Sequence, residues 1–296
     1  MASVQDLKRR IRSIRNTRKI TKAMELVASA RLRRAQARIE AMRPYADRMM
    51  ELMIGTARAS TSVRGLPLLQ RREEERSVAI LPLTGDRGLA GGFNAQVLRH
   101  ALALDRRLRA DGKRVRWLVS GRKGASTLRF RRFEVLQAWT GFSDRPAYAD
   151  AQALAHKVAE LYVEEEVDRV VLVYNHFVSA LVQKVVTQDV LPIPESLLEA
   201  GEDERSQALL GDFIYEPEPE QILERLLPVY VETEVYRALL ESAASEQGAR
   251  MTAMRNATKN AGALIDSLTL SMNRARQAEI TQEILEVVAG ADALSA

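Results

Sequence analysis

Three stretches of this chain carry residue types that could do chemistry. The first is Gly85-Asp86-Arg87-Gly88-Leu89-Ala90-Gly91-Gly92-Phe93-Asn94, which follows an apolar run and precedes a helical pattern. A glycine-rich turn between a strand and a helix N-terminus is where a phosphate can be held. Neither G-x-G-x-x-G nor G-x-x-x-x-G-K-[ST] is present, however, and Asp86 would oppose an anion. A structural tight turn is therefore the stronger reading and a nucleotide site the weaker. The second stretch, Gly121-Arg122-Lys123-Gly124, has the form of the G-x-x-G clamp of some RNA-binding domains, but no aromatic residues gather around it for base stacking. The third group is His100, His156 and His176, none of which stands at metal-ligand spacing from a carboxylate. There is no cysteine and no G-x-S-x-G elbow, and Glu164-Glu165-Glu166 reads as a solvated run. Nothing assembles a nucleophile, a base and an orienting group. No catalytic residue, no metal and no cofactor are expected.

Charge is the next candidate for function. The net charge is +5, but residues 1–50 hold fourteen Lys and Arg against four Asp and Glu, so the rest of the chain is net acidic. The basic run comprises Lys8, Arg9, Arg10, Arg12, Arg15, Arg18, Lys19 and Lys22. Its ordinary explanation is a solvated helix face. The sharper one is an acidic partner: nucleic acid, anionic lipid or an acidic protein loop. Spacing alone does not choose among these.

The elements that must carry these residues are dominated by the two ends. From Ile222, alternating steps of four and three pass through Leu226, Val229, Tyr236, Leu240, Met254, Leu264, Leu268 and Leu285. A mean spacing of 3.5 is a coiled-coil seam, which needs a partner helix. The other segment of similar length is 3–57, where the same steps from Leu7 meet Ile11, Ile14, Leu32, Ile39, Met42, Met49 and Met53. Arg18, Thr21 and Glu25 interrupt that seam, and the apolar residues there shift to Ile20, Met24 and Val27, so the stripe is expected to drift around the helix. Ser3 is the expected N-cap. Pro44 is expected to kink the first helix rather than stop it. The simplest architecture is an antiparallel pair. Its longer, C-terminal member should outrun its partner by some 15 to 20 residues, since each residue adds about 1.5 Å. The apolar end Ile284-Leu285-Glu286-Val287-Val288 would then need a sheath.

Between the helices, strands are predicted at 77–84, 115–120, 133–139, 169–174 and 177–190, alternating with helices. The expected fold class is α/β: a long antiparallel coiled coil of N- and C-terminal helices with an inserted Rossmann-like α/β domain. The expected divisions are 1–60 (first coiled-coil helix), 76–192 (inserted domain), 193–218 (connecting loop) and 219–296 (second coiled-coil helix). No run approaches eighteen apolar residues, and the basic N-terminus lacks the apolar core of a signal sequence. A cytosolic location follows as the expectation.

Several stretches together resemble one family. IRSIRNTRKITKAMELVASARLRRAQ (11–36), RPYA (43–46), DRGLAGGFN (86–94), YEPEP (215–219), ASEQGARMTAMRNATKNAG (244–262) and NRARQAEITQEILEVVAGADAL (273–294) are similar to the gamma subunits of the rotary ATP synthases. The resemblance covers nearly the whole chain in order and is most specific at its ends. It implies a central shaft, one copy per complex, inside a hexamer of alpha and beta subunits. It places the epsilon subunit and the ring of c subunits at the other end. Ion flow would turn ring and shaft, and the asymmetric shaft would drive the beta subunits through their catalytic states, at the cytoplasmic face of a bacterial plasma membrane. No catalytic residue would lie on this chain, and nucleic acid would not be a partner. The implied beta-subunit contacts are Arg9, Lys19, Lys22, Met24, Arg34, Arg250, Arg276, Gln277, Thr281 and Glu283, with Ile284, Leu285, Val287 and Val288 in a bearing at the tip. Phe213, Tyr215 and Glu216 would meet the c ring and epsilon. Ala90 departs from the Cys many members carry, and the cysteine-bearing insertion of plastid members is missing. The rival readings are a nucleic-acid-binding coiled coil, which predicts salt-dependent duplex binding, and a nucleotide-using α/β enzyme with helical arms.

Overall fold

A computed structural model describes residues 3–60, 65–194 and 216–295, without the side chains of 291–295. Among these residues the order is α1 (Val4–Ala59), β1 (Ser77–Pro82), α2 (Phe93–Ala110), β2 (Arg114–Ser120), α3 (Arg122–Phe130), β3 (Val135–Trp139), α4 (Tyr148–Val163), β4 (Arg169–Phe177), β5 (Gln183–Leu191) and α5 (Pro219–Ser295). The helix α1 has 56 residues and α5 has 77, and Pro44 and Pro228 each lie inside an unbroken helix. Ser3 caps α1: its hydroxyl accepts from the Asp6 N–H at 3.2 Å and donates to the Asp6 carboxylate at 2.9 Å.

The chain divides into two compact units, one made of 1–28 with 251–296 and the other of 29–250. In the smaller unit α1 and α5 pair antiparallel. Thr21 and Thr258 hydroxyls meet at 2.8 Å, and Glu25 accepts from Arg255 Nε at 3.1 Å, so partner numbers fall on one helix as they rise on the other. Leu7, Ile11, Thr21, Glu25 and Ala28 are buried on α1, and Met251, Met254 and Ile265 on α5.

The seam differs from the expected one in two details. The stripe on α1 does not drift: Ile20 is 59% exposed and Val27 52%, while polar Thr21 and Glu25 stay on the heptad phase and are buried. They can do so because each finds a partner across the seam, which removes the cost of burying an unpaired polar group. On α5 the phase slips by one residue, so that Thr258 and Ile265 face the partner and Leu264 is 48% exposed.

The larger unit is built on a five-stranded sheet of order β3-β2-β1-β4-β5, parallel except for β5, which pairs antiparallel with β4. Strand β1 reads Ser-Val-Ala-Ile-Leu-Pro and is buried on both faces, as expected of a central parallel strand. One face, with Val78, Ile80, Trp117, Val119 and Val173, packs against α2 and α3. The other, with Ala79, Leu81, Leu118 and Leu172, joins α4 to Met49, Met53 and Ala57 of α1 and to Leu223, Leu227, Val231 and Val235 of α5. Strand ends shift slightly from expectation: Phe177 still belongs to β4, and the turn to β5 takes 178–182.

Candidate functional site

The glycine loop after β1 is built as a clasp. Gly85 N–H donates to Asn94 Oδ1 at 2.8 Å, tying the loop to the start of α2. The Asp86 carboxylate accepts from three backbone N–H groups: Arg122 at 3.0 Å, Gly141 at 2.8 Å and Ser143 at 3.1 Å. Arg122 is the first residue of α3, so the loop's own anion sits at that helix N-terminus. Burial works against this charge, but the Ser143, Arg122 and Gly141 hydrogen bonds outweigh it and hold the carboxyl below the usual aspartate range.

The G-x-x-G stretch has an equally local reason. Gly121 has φ +97, and a Cβ there would run into the Thr84 carbonyl. A Cβ on Gly124 would come within 2.6 Å of Thr84 Oγ1, which instead accepts the Gly124 N–H at 2.9 Å and donates to the Ser120 carbonyl at 2.8 Å. Both glycines are needed for close packing of strand, loop and helix.

In sheets of this type ligands bind beyond the carboxyl ends of the strands where the strand order reverses, here between β1 and β4. That place is filled by α5. Ser245 donates to the Asn175 carbonyl of β4 at 3.0 Å, and the Glu246 carboxylate lies 2.8 Å from where a Cβ on Gly85 would stand. The chain's own helix occupies the crevice a nucleotide would use.

From Tyr230 to Gly248 almost every residue of α5 is buried. Four glutamates lie in this stretch, and each has partners. Glu232 accepts from Tyr148 at 2.6 Å and Gln152 at 3.1 Å, and meets His156 at 2.9 Å. Glu234 accepts from Gln188 at 2.6 Å and Arg237 at 3.3 Å. Glu241 meets His176 Nδ1 at 2.5 Å and Arg237 at 3.5 Å. Glu246 pairs with Arg250 at 2.5 Å. Burial pushes the Glu246 carboxyl above the usual range although Arg250 pulls the other way. Burial, with the bond to Glu232, raises the Tyr148 phenol. The sequence reading missed this cluster. Its only signal was an acid-rich helix with apolar residues on every side.

The opposite end of α5 is its inverse. Every residue from Arg276 to Gly290 is exposed, including Ile280 at 47%, Ile284 at 57%, Leu285 at 63%, Val287 at 72% and Val288 at 51%. The Thr21–Thr258 and Glu25–Arg255 register puts Val4, the start of α1, opposite the neighbourhood of Arg276, so the partner helix ends where continuous exposure begins. Of the expected contact residues, Arg276, Gln277, Thr281 and Glu283 lie on this exposed stretch, and Thr281 donates to the Gln277 carbonyl at 2.9 Å. Arg9, Lys19, Lys22 and Arg34 are exposed on α1, Lys22 also donating to Glu25 at 3.1 Å, and Met24 is half-buried. Lys22 and Arg255 hold the Glu25 carboxyl low. Arg250 differs from the others. It is 8% exposed, and its guanidinium reaches Glu246 and the Gly88 carbonyl at 3.4 Å, so it serves the interior of the larger unit. Glu216 is exposed; Phe213 and Tyr215 lie outside the described residues.

His156 and His176 are bound to glutamates, as above, and His100 is exposed on α2. Among the described residues no group of three or more His, Asp or Glu could hold a metal, and no helix is long and apolar enough to cross a membrane.

Comparison with known proteins bears directly on the exposed helix end. The family model described as ATP synthase matches residues 3–294. The ATP synthase gamma chain of Rubrobacter xylanophilus is 48% identical over the whole of both chains, and that of Moorella thermoacetica is 47% identical over 99% of this chain and all of its own. A chain of the central stalk and c ring of the Tetrahymena thermophila mitochondrial ATP synthase matches with TM-score 0.59 and 28% identity, covering 80% of this chain and 99% of its own. A chain of the Euglena gracilis mitochondrial ATP synthase shares the fold, with TM-score 0.68 and 18% identity over 98% of this chain and 94% of its own. A chain with a plugged α/β crevice, a paired helical stem and an unsheathed helix end thus belongs to the gamma chains of the ATP synthases.

Proposed function

We propose that this chain is the turning shaft of an ATP synthase. It carries torque from an ion-driven c ring to a hexamer of alpha and beta subunits and so cycles the catalytic sites on beta. Its family makes it a non-catalytic stalk subunit. The observation that carries the mechanism is the stretch Arg276–Gly290, a helix exposed on all sides with apolar residues at Ile284, Leu285, Val287 and Val288. Such a helix is unstable alone in water and gains stability inside a surrounding protein sleeve. Torque passes through the paired helices below it, where the seam includes a hydrogen-bonded Thr pair and a Glu–Arg bridge that resist sliding.

Within this reading the tip residues run in the sleeve, and Arg276, Gln277, Thr281 and Glu283 touch beta-subunit loops. The basic residues Arg9, Lys19, Lys22 and Arg34, with Met24 beside them, face acidic levers of beta. Arg250 is left out of this set, because its charge is already neutralised inside the chain. Glu216 belongs to the end nearer the c ring and epsilon, with Phe213 and Tyr215 assigned there by resemblance alone. The complex would lie at the cytoplasmic face of a bacterial plasma membrane, with this chain held there through its partners.

Reconstitution with purified alpha and beta subunits tests the proposal. The full chain should assemble as one copy per hexamer and support ATP turnover. A chain ending at Arg276 should assemble more weakly and turn over more slowly. No assembly, or equal turnover with and without residues 277–296, would overturn it. Tight, salt-sensitive duplex binding in place of assembly would restore the nucleic-acid reading of the basic helix.

A further inference from the structure

Helices α2 and α3 follow successive parallel strands and lie side by side on the sheet face away from α4. Between them runs an open groove of about 560 Å³. Its floor is apolar, with Leu98, Leu102 and Phe133. Its walls carry four exposed cations, Arg99 and Arg106 from α2, Lys123 from the first turn of α3 and Arg131 from the residue that follows α3. The carboxylate in its lining, Asp105, is bound by Arg109 at 2.8 Å. None of the four cations has an ion-pair partner among the described residues. Four exposed like charges around one apolar groove give it a positive potential that favours an anionic occupant.

We infer that this groove docks an acidic amphipathic helix of a partner protein. The spacing selects a helix over a small anion. Arg99 and Arg106 are seven residues apart on α2, roughly 10 Å along its axis, and on the other wall Lys123 stands in the first turn of α3 while Arg131 follows its last residue, so the cations of each wall sit at opposite ends of the groove. One phosphate cannot span that distance. A helix with carboxylates one heptad apart on its flanks and leucine-like side chains between them matches both walls and the floor. Two parallel helices also leave a groove into which a third packs at about 8–10 Å. The inference does not depend on the rotor assignment, because none of the four cations belongs to the proposed shaft contacts.

The test uses the full chain both alone and assembled with alpha and beta subunits, peptide binding being read on each and ATP turnover on the assembled form of every variant. The probe is a labelled eighteen-residue helix with glutamates at heptad spacing flanking leucines. Controls are a scrambled peptide of the same composition, inorganic tripolyphosphate and vesicles rich in phosphatidylglycerol. Stoichiometric binding of the helical peptide is expected, weakening at higher salt and at least about tenfold weaker in Arg99→Glu/Arg106→Glu, with turnover unchanged. A milder Arg99→Gln/Arg106→Gln variant covers the case in which charge reversal disturbs assembly, and should weaken binding in the same direction. Equal binding of the scrambled peptide, or no effect of either double variant, would overturn the proposal. So would tripolyphosphate or vesicles engaging the same arginines where the helical peptide does not.

Discussion

Two stretches of one helix, Tyr230–Gly248 and Arg276–Gly290, solve opposite problems. The first is buried nearly all round yet carries four glutamates; the second is exposed all round yet carries Ile284, Leu285, Val287 and Val288. In the first, every carboxylate is answered within the same chain by Tyr148, His156, Gln188, Arg237, His176 or Arg250. In the second nothing among the described residues answers the apolar side chains. The lesson is that polarity alone does not tell a core helix from a surface helix: what matters is whether the mismatched groups find partners within the chain or outside it.

The sharpest way to break this contrast is to make the exposed end polar. Replacing Ile284, Leu285, Val287 and Val288 together by Ser should leave the melting temperature of the free chain nearly unchanged, since surface changes usually lie within about 0.5 kcal/mol each. Turnover in the assembled complex should fall by about tenfold or more, because buried apolar anchors dominate an interface. A large loss of free-chain stability would show that the end is already packed in the free chain.

The converse change strikes the buried stretch. Arg250→Ala should cost about 3–5 kcal/mol near neutral pH, because it strands Glu246 in the interior. The stranded carboxyl, already raised by burial, then binds a proton more readily folded than unfolded. Variant stability should therefore be greatest below the unfolded glutamate value of about 4.3 and fall as pH rises through the folded value. Denaturant titrations across that range would show it, and a deficit that grows towards acid would contradict the assignment.

A smaller effect is expected at the loop clasp. Asp86→Asn should cost about 1–3 kcal/mol at neutral pH, because the amide NH2 that replaces one carboxylate oxygen cannot accept the backbone N–H bonds made there, and the remaining bonds lose their charge assistance. The wild-type carboxyl is depressed, so its contribution is present above the unfolded value of about 3.9 and is lost as pH falls through the folded one. The gap between the two proteins should close in acid. Smallest of all, Thr21→Val with Thr258→Val should shift stability by less than about 1 kcal/mol, since both hydroxyls of the seam pair are removed together.

The two long helices were readable from heptad spacing, and the α/β insertion from apolar runs set between turn residues. Helix register was less readable, because Thr21 and Glu25 look like interruptions until Thr258 and Arg255 are seen opposite them. Leu264 was expected on the seam, but Ile265 took the place after a one-residue slip. The buried glutamates were invisible for the same reason: each is explained only by a residue at least 46 positions away or by its own helical neighbour. The exposed end was legible because a length difference between two helices is a local count, and needs no knowledge of contacts.

Asp86 has a consequence beyond its hydrogen bonds. It is an intramolecular ligand, tethered at high effective concentration to the backbone donors of Arg122, Gly141 and Ser143. A free phosphate or carboxylate must displace it before reaching α3, so the anion-binding capacity of this fold is consumed by the chain itself. Trimming that side chain, as in Asp86→Gly, should turn an occupied receptor into a vacant one. Added formate or acetate should then restore part of the lost stability in the variant and none in the parent, a chemical rescue that would reveal the competence the fold keeps suppressed.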